Sequence, residues 1–183
     1  PYRARVSDGR SLAGGSLAND AVLREEEGDW TIQGDPTEAA FLVAEAKVEG
    51  LAESRRARFQ RVGEIPFTSE RKLMSTVHAA LEGEPETALF TKGAPDVLLA
   101  RSTTIQDVDG SAVRVEEGRE RVEAENDRLA GEGLRVLAVA SIYGYHVTRE
   151  YAIDPLEVLF VREVMRDTPV EPADAAGAAI SPD

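Results

Sequence analysis

The chain contains no cysteine. That removes a disulfide framework, a thiolate nucleophile and a thiolate metal site together, and agrees with a reducing compartment. Its two histidines, His78 and His146, lie far apart, so no metal site is expected. Basic residues are also short: 21 Lys and Arg face 34 Asp and Glu, for a formal charge of -13. A phosphate backbone is bound by surplus cations, so nucleic acid is excluded as a partner, and a basic membrane-surface patch with it. No apolar run approaches the ~20 residues that a membrane-spanning helix needs, so this stretch by itself transports nothing and makes no direct membrane contact. Pro1 to Arg5 is not followed by an apolar core segment, and no secretory signal is expected. Walker A, Gly-x-Gly-x-x-Gly and His-Glu-x-x-His patterns are missing. No nucleophile and base pair stands out, so no catalytic residue is assigned.

The 183 residues suit one domain with a substantial core. Residues 1–16, rich in Gly, Ser and Arg without a period, read as an irregular lead-in, and Leu17 to Arg24 as a short helical stripe. Glu25 to Asp29 reads as a solvated loop. Asp35-Pro36-Thr37-Glu38 is a helix start, with Asp35 as cap, Pro36 in the first turn and Glu38 at the capping-box position; Gly50 is the expected stop. Ile65 to Leu81 and Thr87 to Thr91 read as a β-hairpin, and Pro95 to Arg101 as a short helix. A second hairpin turns at Asp109-Gly110, and a charged helix covers Glu116 to Ala130. Leu134 to Ala140 has a central-strand pattern and Leu156 to Met165 is a last strand. Arg166 to Asp183, rich in Ala, Pro and Asp, reads as a flexible tail. The fold class is therefore α/β (α+β), an antiparallel sheet of about six strands flanked by helices, with residues 1–166 as the domain and 167–183 as tail. An abrupt start and an unpacked end read as a piece cut from a longer polypeptide.

Two stretches carry the chemistry. In Phe90-Thr-Lys-Gly-Ala-Pro-Asp96, a strand ending in Lys92 presents an ammonium at the sheet rim, Gly93 allows close backbone approach, and Pro95 opens a helix. In Ile65 to Ser75, alternation puts Lys72 and Met74 on one face, able to hold a phosphate at one point and an apolar base edge at the next. An edge-strand lysine and a filler Met would read the same way. Phe67 follows Pro66 and precedes a polar turn; its ring either stacks on a base or anchors the strand start in the core. Arg135 is a cation in an apolar run, requiring a carboxylate, a strand end or a bound anion. Screening over about 10 Å makes the overall negative charge secondary to whether Arg71, Lys72, Lys92 and Arg135 converge.

Gly34-Asp35-Pro36-Thr37-Glu38-Ala39-Ala40, Pro66-Phe67-Thr68-Ser69-Glu70-Arg71-Lys72-Leu73-Met74-Ser75 and Lys92-Gly93-Ala94-Pro95-Asp96 occur in that order. Leu17 to Ala21 lies upstream and Gly133 to Ala138 downstream. Together they resemble the nucleotide-binding domain of P-type cation-transporting ATPases, in the branch of calcium and sodium/potassium pumps, over residues 12–166. The resemblance implies that Glu38 meets the adenine amino group and Phe67 stacks on adenine. It further implies that Arg135 touches the phosphates, Leu137 lines the base side, and Lys72, Met74, Lys92 and Gly93 complete the pocket. Ser69 stands where calcium pumps carry an arginine, so one phosphate contact is missing and affinity is expected to be modest. Asp167-Thr168-Pro169-Val170 lacks the arginine of the family's hinge, so hinge function is not carried over.

The chain also has no Asp-Lys-Thr-Gly-Thr, the phosphorylated motif of these pumps, and no Thr-Gly-Glu of the actuator domain. The expectation is thus a monomeric, cytoplasmic domain of a membrane pump. It would bind ATP, as Mg-ATP in the whole enzyme, and present the γ-phosphate to an aspartate on a separate phosphorylation domain, with the actuator domain as further partner. Alone it would bind ATP or ADP weakly and hydrolyse neither. The rival is an acidic interaction or regulatory module that kept the fold and lost the pocket. A buried Phe67 and a Lys92 paired to a carboxylate would favour that rival; a hollow between them would favour the nucleotide.

Overall fold

The computed structural model describes residues 6–80, 87–107, 110–143 and 156–160. It opens with helix α1 (Val6–Leu17), where the Gly- and Ser-rich composition predicts irregular chain. Tertiary packing overrides propensity here. A Cβ on Gly14 would lie 2.8 Å from Val139 Cγ1, and one on Gly15 would lie 2.1 Å from Phe41 Cδ1. Glycine is what lets the helix axis come this close. Asn19 ends the element: its Oδ1 accepts the Ala21 amide at 2.8 Å and its Nδ2 donates to the Glu38 carbonyl at 2.7 Å. The stripe expected over Leu17 to Arg24 is therefore cut in two.

The acidic run expected as loop forms a hairpin of β1 (Val22–Glu26) and β2 (Asp29–Gln33). Its turn uses Glu27 and Gly28, both at positive φ (55° and 90°), the backbone that matches strand twist. Helix α2 (Pro36–Ala46) starts as predicted: Asp35 accepts the Thr37 and Glu38 amides at 2.7 and 3.3 Å. It ends before the expected stop, because Gly50, at φ 73°, instead begins helix α3 (Leu51–Arg58). Arg55 of α3 forks onto the buried Glu45 of α2 with contacts of 2.7 and 2.9 Å, clamping the two helices.

The main sheet holds β3 (Phe59–Ile65), β4 (Leu73–Ala80), β5 (Thr87–Gly93), β6 (Ser102–Gln106), β7 (Ala112–Arg114), β8 (Ala138–Tyr143) and β9 (Leu156–Phe160). Their order is β3-β4-β5-β8-β9-β6-β7. The α/β class and the flanking helices stand as expected. The sheet has seven strands, and the β6–β9 pairing is parallel where all others are antiparallel. Helices α4 (Pro95–Leu99) and α5 (Val115–Gly131) complete the described residues. Both predicted hairpins form, β4–β5 and β6–β7. The tail over 167–183 and the hinge-like Asp167 to Val170 lie outside the described residues.

Each sheet face has its own core. On one, Leu17 of α1 and Ala18 just after it pack on Ala88 and Phe90, while Leu12 meets Phe41 and Val139. On the other, Leu98 of α4 packs on Leu73, Ala138 and Ala140. His78 is buried on the α1 side, edge-on to Phe59 and Phe90, with its Nε2 3.0 Å from Thr76 Oγ1. Thr76 Oγ1 donates to the Leu17 carbonyl, so the histidine nitrogen facing it carries the proton. Burial, aided by the charge of Arg61, lowers the His78 pKa from 6.5 to about 4.

Two outcomes follow from this packing. Gly15→Ala is expected to destabilise the domain by about 1–3 kcal/mol, because the added methyl overpacks a buried ring; urea denaturation measures it, and a neutral result would mean that Phe41 has room to move. His78 is neutral in the fold yet titrates near 6.5 when unfolded. Its contribution is complete above that pH and drains away as pH falls from 6.5 to about 4, a loss of about 3 kcal/mol. The slope of stability against pH in that window should flatten in His78→Leu; an unchanged slope contradicts the assignment.

Candidate functional site

Strand register gathers the predicted residues at one end of the sheet. Ile65, the last residue of β3, pairs with Ser75, and Leu73, the first of β4, pairs with Gly93 at the end of β5. Gly93 in turn pairs with Ala138, the first residue of β8. The β3–β4 turn with Phe67 and Lys72, the β5 end with Lys92 and Gly93, and the approach to β8 with Arg135 and Leu137 therefore share this end. Glu38 reaches it from the first turn of α2.

At the centre sits Lys92. It is 4% exposed, opposite the buried Met74, with Nζ 5.9 Å from the centroid of the Phe41 ring. Lys92 thus lies beneath the rim on which the sequence placed it. Its Nζ is 2.8 Å from Glu38 Oε1. The contact is a salt bridge in which the ammonium also donates a hydrogen bond to the carboxylate. Burial pulls the Lys92 pKa below 10.5, while Glu38, Asp20 and Asp35 oppose the fall.

Glu38 also departs from its expected capping-box role. Rather than reaching back to the start of its own helix, its Oε2 accepts the Asp20 amide at 3.0 Å. Asp20 is held by Arg61, which donates to its Oδ1 at 2.8 Å and to the Asn19 carbonyl at 3.1 Å. Asp35, which caps α2, connects Arg135 to this cluster. Burial works to raise the Asp35 pKa, but hydrogen bonds from Thr37 and Glu38, with the charge of Arg135, outweigh it and leave the carboxyl below 3.8.

Phe67 stands in a structured turn and is 54% exposed, which excludes the core-anchor alternative. Arg71 braces that turn: its guanidinium donates to the Pro66 carbonyl at 3.4 Å and to Ser75 Oγ at 3.1 Å. The Lys72 amide donates to the Thr68 carbonyl at 2.8 Å.

Three local expectations are corrected. Lys72 precedes β4 and has positive φ, 56°, so strand alternation does not place it on the face of Met74; it is exposed while Met74 is buried. Gly93, at φ 156°, is needed for approach to the protein's own backbone, since a Cβ there would lie 2.2 Å from the Lys72 carbonyl oxygen. Leu134 to Leu137 precede β8 instead of forming its first half, so Arg135 is exposed and needs no buried partner. Leu137 is half-buried against Leu12, Phe41 and Val139.

Sequence reasoning missed Phe41 beneath Lys92 and the Asp20 amide on Glu38. Asn19-Asp20 was visible as a motif, but contacts across 18 residues leave no periodic signal. Among the described residues no group of His, Asp and Glu could hold a metal, and no helix is long and apolar enough to cross a membrane.

This arrangement offers an exposed aromatic ring, two exposed cations and a buried ammonium paired to a carboxylate, all at one sheet end. A family model described as P-type ATPase, cytoplasmic domain N, matches residues 10–162. The chain is 34% identical over 126 residues to a calcium-transporting ATPase of Bacillus subtilis, covering 69% of this chain and 14% of that protein. It is 36% identical over 138 residues to a probable cation-transporting ATPase F of Mycobacterium tuberculosis, covering 75% and 15%. Against the human calcium-transporting ATPase type 2C member 1 it is 36% identical over 144 residues, covering 76% and 14%. The chain thus spans about one seventh of the length of these relatives.

If Glu38 sustains the charge on Lys92, Glu38→Gln is expected to lower the Lys92 pKa further. NMR titration of the lysine Cε and Nζ signals reads it, and a rise in that variant would remove Glu38 as partner.

Proposed function

The chain belongs to the family of P-type ATPase cytoplasmic N domains, and from that premise we propose that it binds ATP at the sheet end built around Lys92. The observation that carries the reading is the exposed Phe67 ring, fixed in its turn at the same end as the exposed cations Lys72 and Arg135. Phe67 stacks on adenine, the half-buried Leu137 supplies apolar surface, and Met74, 1% exposed, backs the site from beneath. Glu38 accepts the adenine amino group while Lys92 holds its carboxylate in place. The exposed Lys72 and Arg135 take the phosphates. Gly93 keeps β5 tight against Lys72 so that these groups stay in register.

The reaction role is positioning. In a whole pump this domain holds Mg-ATP and presents the γ-phosphate to an aspartate of a separate phosphorylation domain, with the actuator domain as further partner, on the cytoplasmic side of the membrane. By itself the chain binds ATP or ADP and hydrolyses neither.

One observation supports the rival interaction module: Lys92 already has a carboxylate partner. The exposure of Phe67 opposes it. The test is an NMR titration with ATP and ADP, in which shifts cluster on Phe67, Lys92 and Arg135. Phe67→Ala should weaken binding about 5- to 150-fold, the equivalent of ~1–3 kcal/mol of stacking, with little change in melting temperature. An unchanged spectrum at millimolar nucleotide, or full affinity in Phe67→Ala, overturns the reading.

A further inference from the structure

Away from this site, the β1–β2 hairpin, the end of α1, α2 and α3 enclose a cleft of about 590 Å³ that includes none of the proposed nucleotide residues. Its volume falls within the roughly 300–1,000 Å³ of ordinary ligand pockets. The floor is apolar, with Ala21, Leu23, Leu42 and Val48, and the clamped Glu45–Arg55 pair lines one wall. Ser16 also lines it, and its buried hydroxyl has no hydrogen-bond partner. A buried hydroxyl without a partner is costly, so this one invites an incoming polar group. Trp30, the chain's sole tryptophan, lines the cleft with 56% of its surface exposed. Exposed tryptophans are enriched where proteins meet partners, and their faces attract cations.

Charge decides what fits. Arg55 is neutralised by Glu45, which leaves Glu49 and Glu53 against Arg56 among the lining charges. Outside the lining, the hairpin carries Glu25 and Glu26 at the end of β1, Glu27 in the turn and Asp29 beside Trp30 at the start of β2, against the single cation Arg24. With a chain charge of -13, a second copy is repelled. We propose that this cleft is a docking site for a basic, apolar segment of a partner protein, with an arginine or lysine over Trp30 and between Glu49 and Glu53. Leucine-like neighbours cover the floor, and a backbone or side-chain polar group meets Ser16. The proposal does not depend on nucleotide binding, since the two sites share no residue.

Trp30 reports on the cleft directly. The 183-residue chain is titrated with acetyl-Leu-Arg-Leu-Arg-amide and, in parallel, with acetyl-Leu-Glu-Leu-Glu-amide, following tryptophan emission. The expected result is a saturable shift with the basic peptide alone, unaffected by ATP and weakened by salt. Glu49→Gln and Glu53→Gln should each reduce affinity about 2- to 5-fold while leaving the melting temperature in place. Silence at millimolar basic peptide overturns the proposal, as does an equal response to the acidic peptide. So does a shift that depends on protein concentration without peptide, which would assign the cleft to a second copy. Failure in any of these ways leaves the nucleotide reading untouched, because that reading is scored on Phe67, Lys92 and Arg135.

Discussion

The arrangement at the sheet end depends on keeping an ammonium charged below the surface. Lys92 is buried over Phe41, and desolvation lowers its pKa; three carboxylates, Glu38 foremost, oppose that fall. Glu38 can do so because Asp20 offers its amide and Arg61 fixes Asp20. One buried charge thus binds α2, the segment after α1, β3 and β5 into a single electrostatic unit. An isolated buried cation would cost several kcal/mol, and its carboxylate partners come from two places in the chain, the start of α2 and the segment after α1.

Close packing of α1 supports the same centre. Gly14 and Gly15 bring the helix onto Val139 and Phe41, and Phe41 is the ring beneath the ammonium. A residue class that argues against helix in isolation is here what makes the helix dock. The β3–β4 turn is organised differently, by polar bracing: Arg71 ties Pro66 to Ser75, and Ser75 meets Thr91 Oγ1 at 2.9 Å on the neighbouring strand. Side-chain hydrogen bonds thereby replace a hydrophobic anchor, and the Phe67 ring stays outside.

Much of this was legible in the chain. The Asp35 cap, both hairpins, α4 and α5 follow from local rules of capping, turn chemistry and periodicity, and the structure has each of them. Local rules failed where long-range contact decided the outcome. α1 needs Phe41 and Val139 to exist; β1 and β2 need each other, since a run of glutamates has little strand preference of its own. Lys72 was misplaced because strand alternation was extended one residue past a left-handed turn, which period-2 counting cannot detect. The position of Arg135 follows from β8 starting only at Ala138, and its apolar neighbours do not reveal that boundary.

The place of β9 bears on how the molecule assembles during synthesis. Among the described residues, the sheet's two groups, β3-β4-β5-β8 on one side and β6-β7 on the other, share backbone hydrogen bonds only through the strand inserted between them, Leu156–Phe160. That strand is the last described element to leave the ribosome. Until it emerges, β8 and β6 each present an open edge, the kind of surface that invites wrong pairing. The keystone therefore comes from a strand about fifty residues downstream of the β6 it pairs with, so the sheet closes by an event of high contact order.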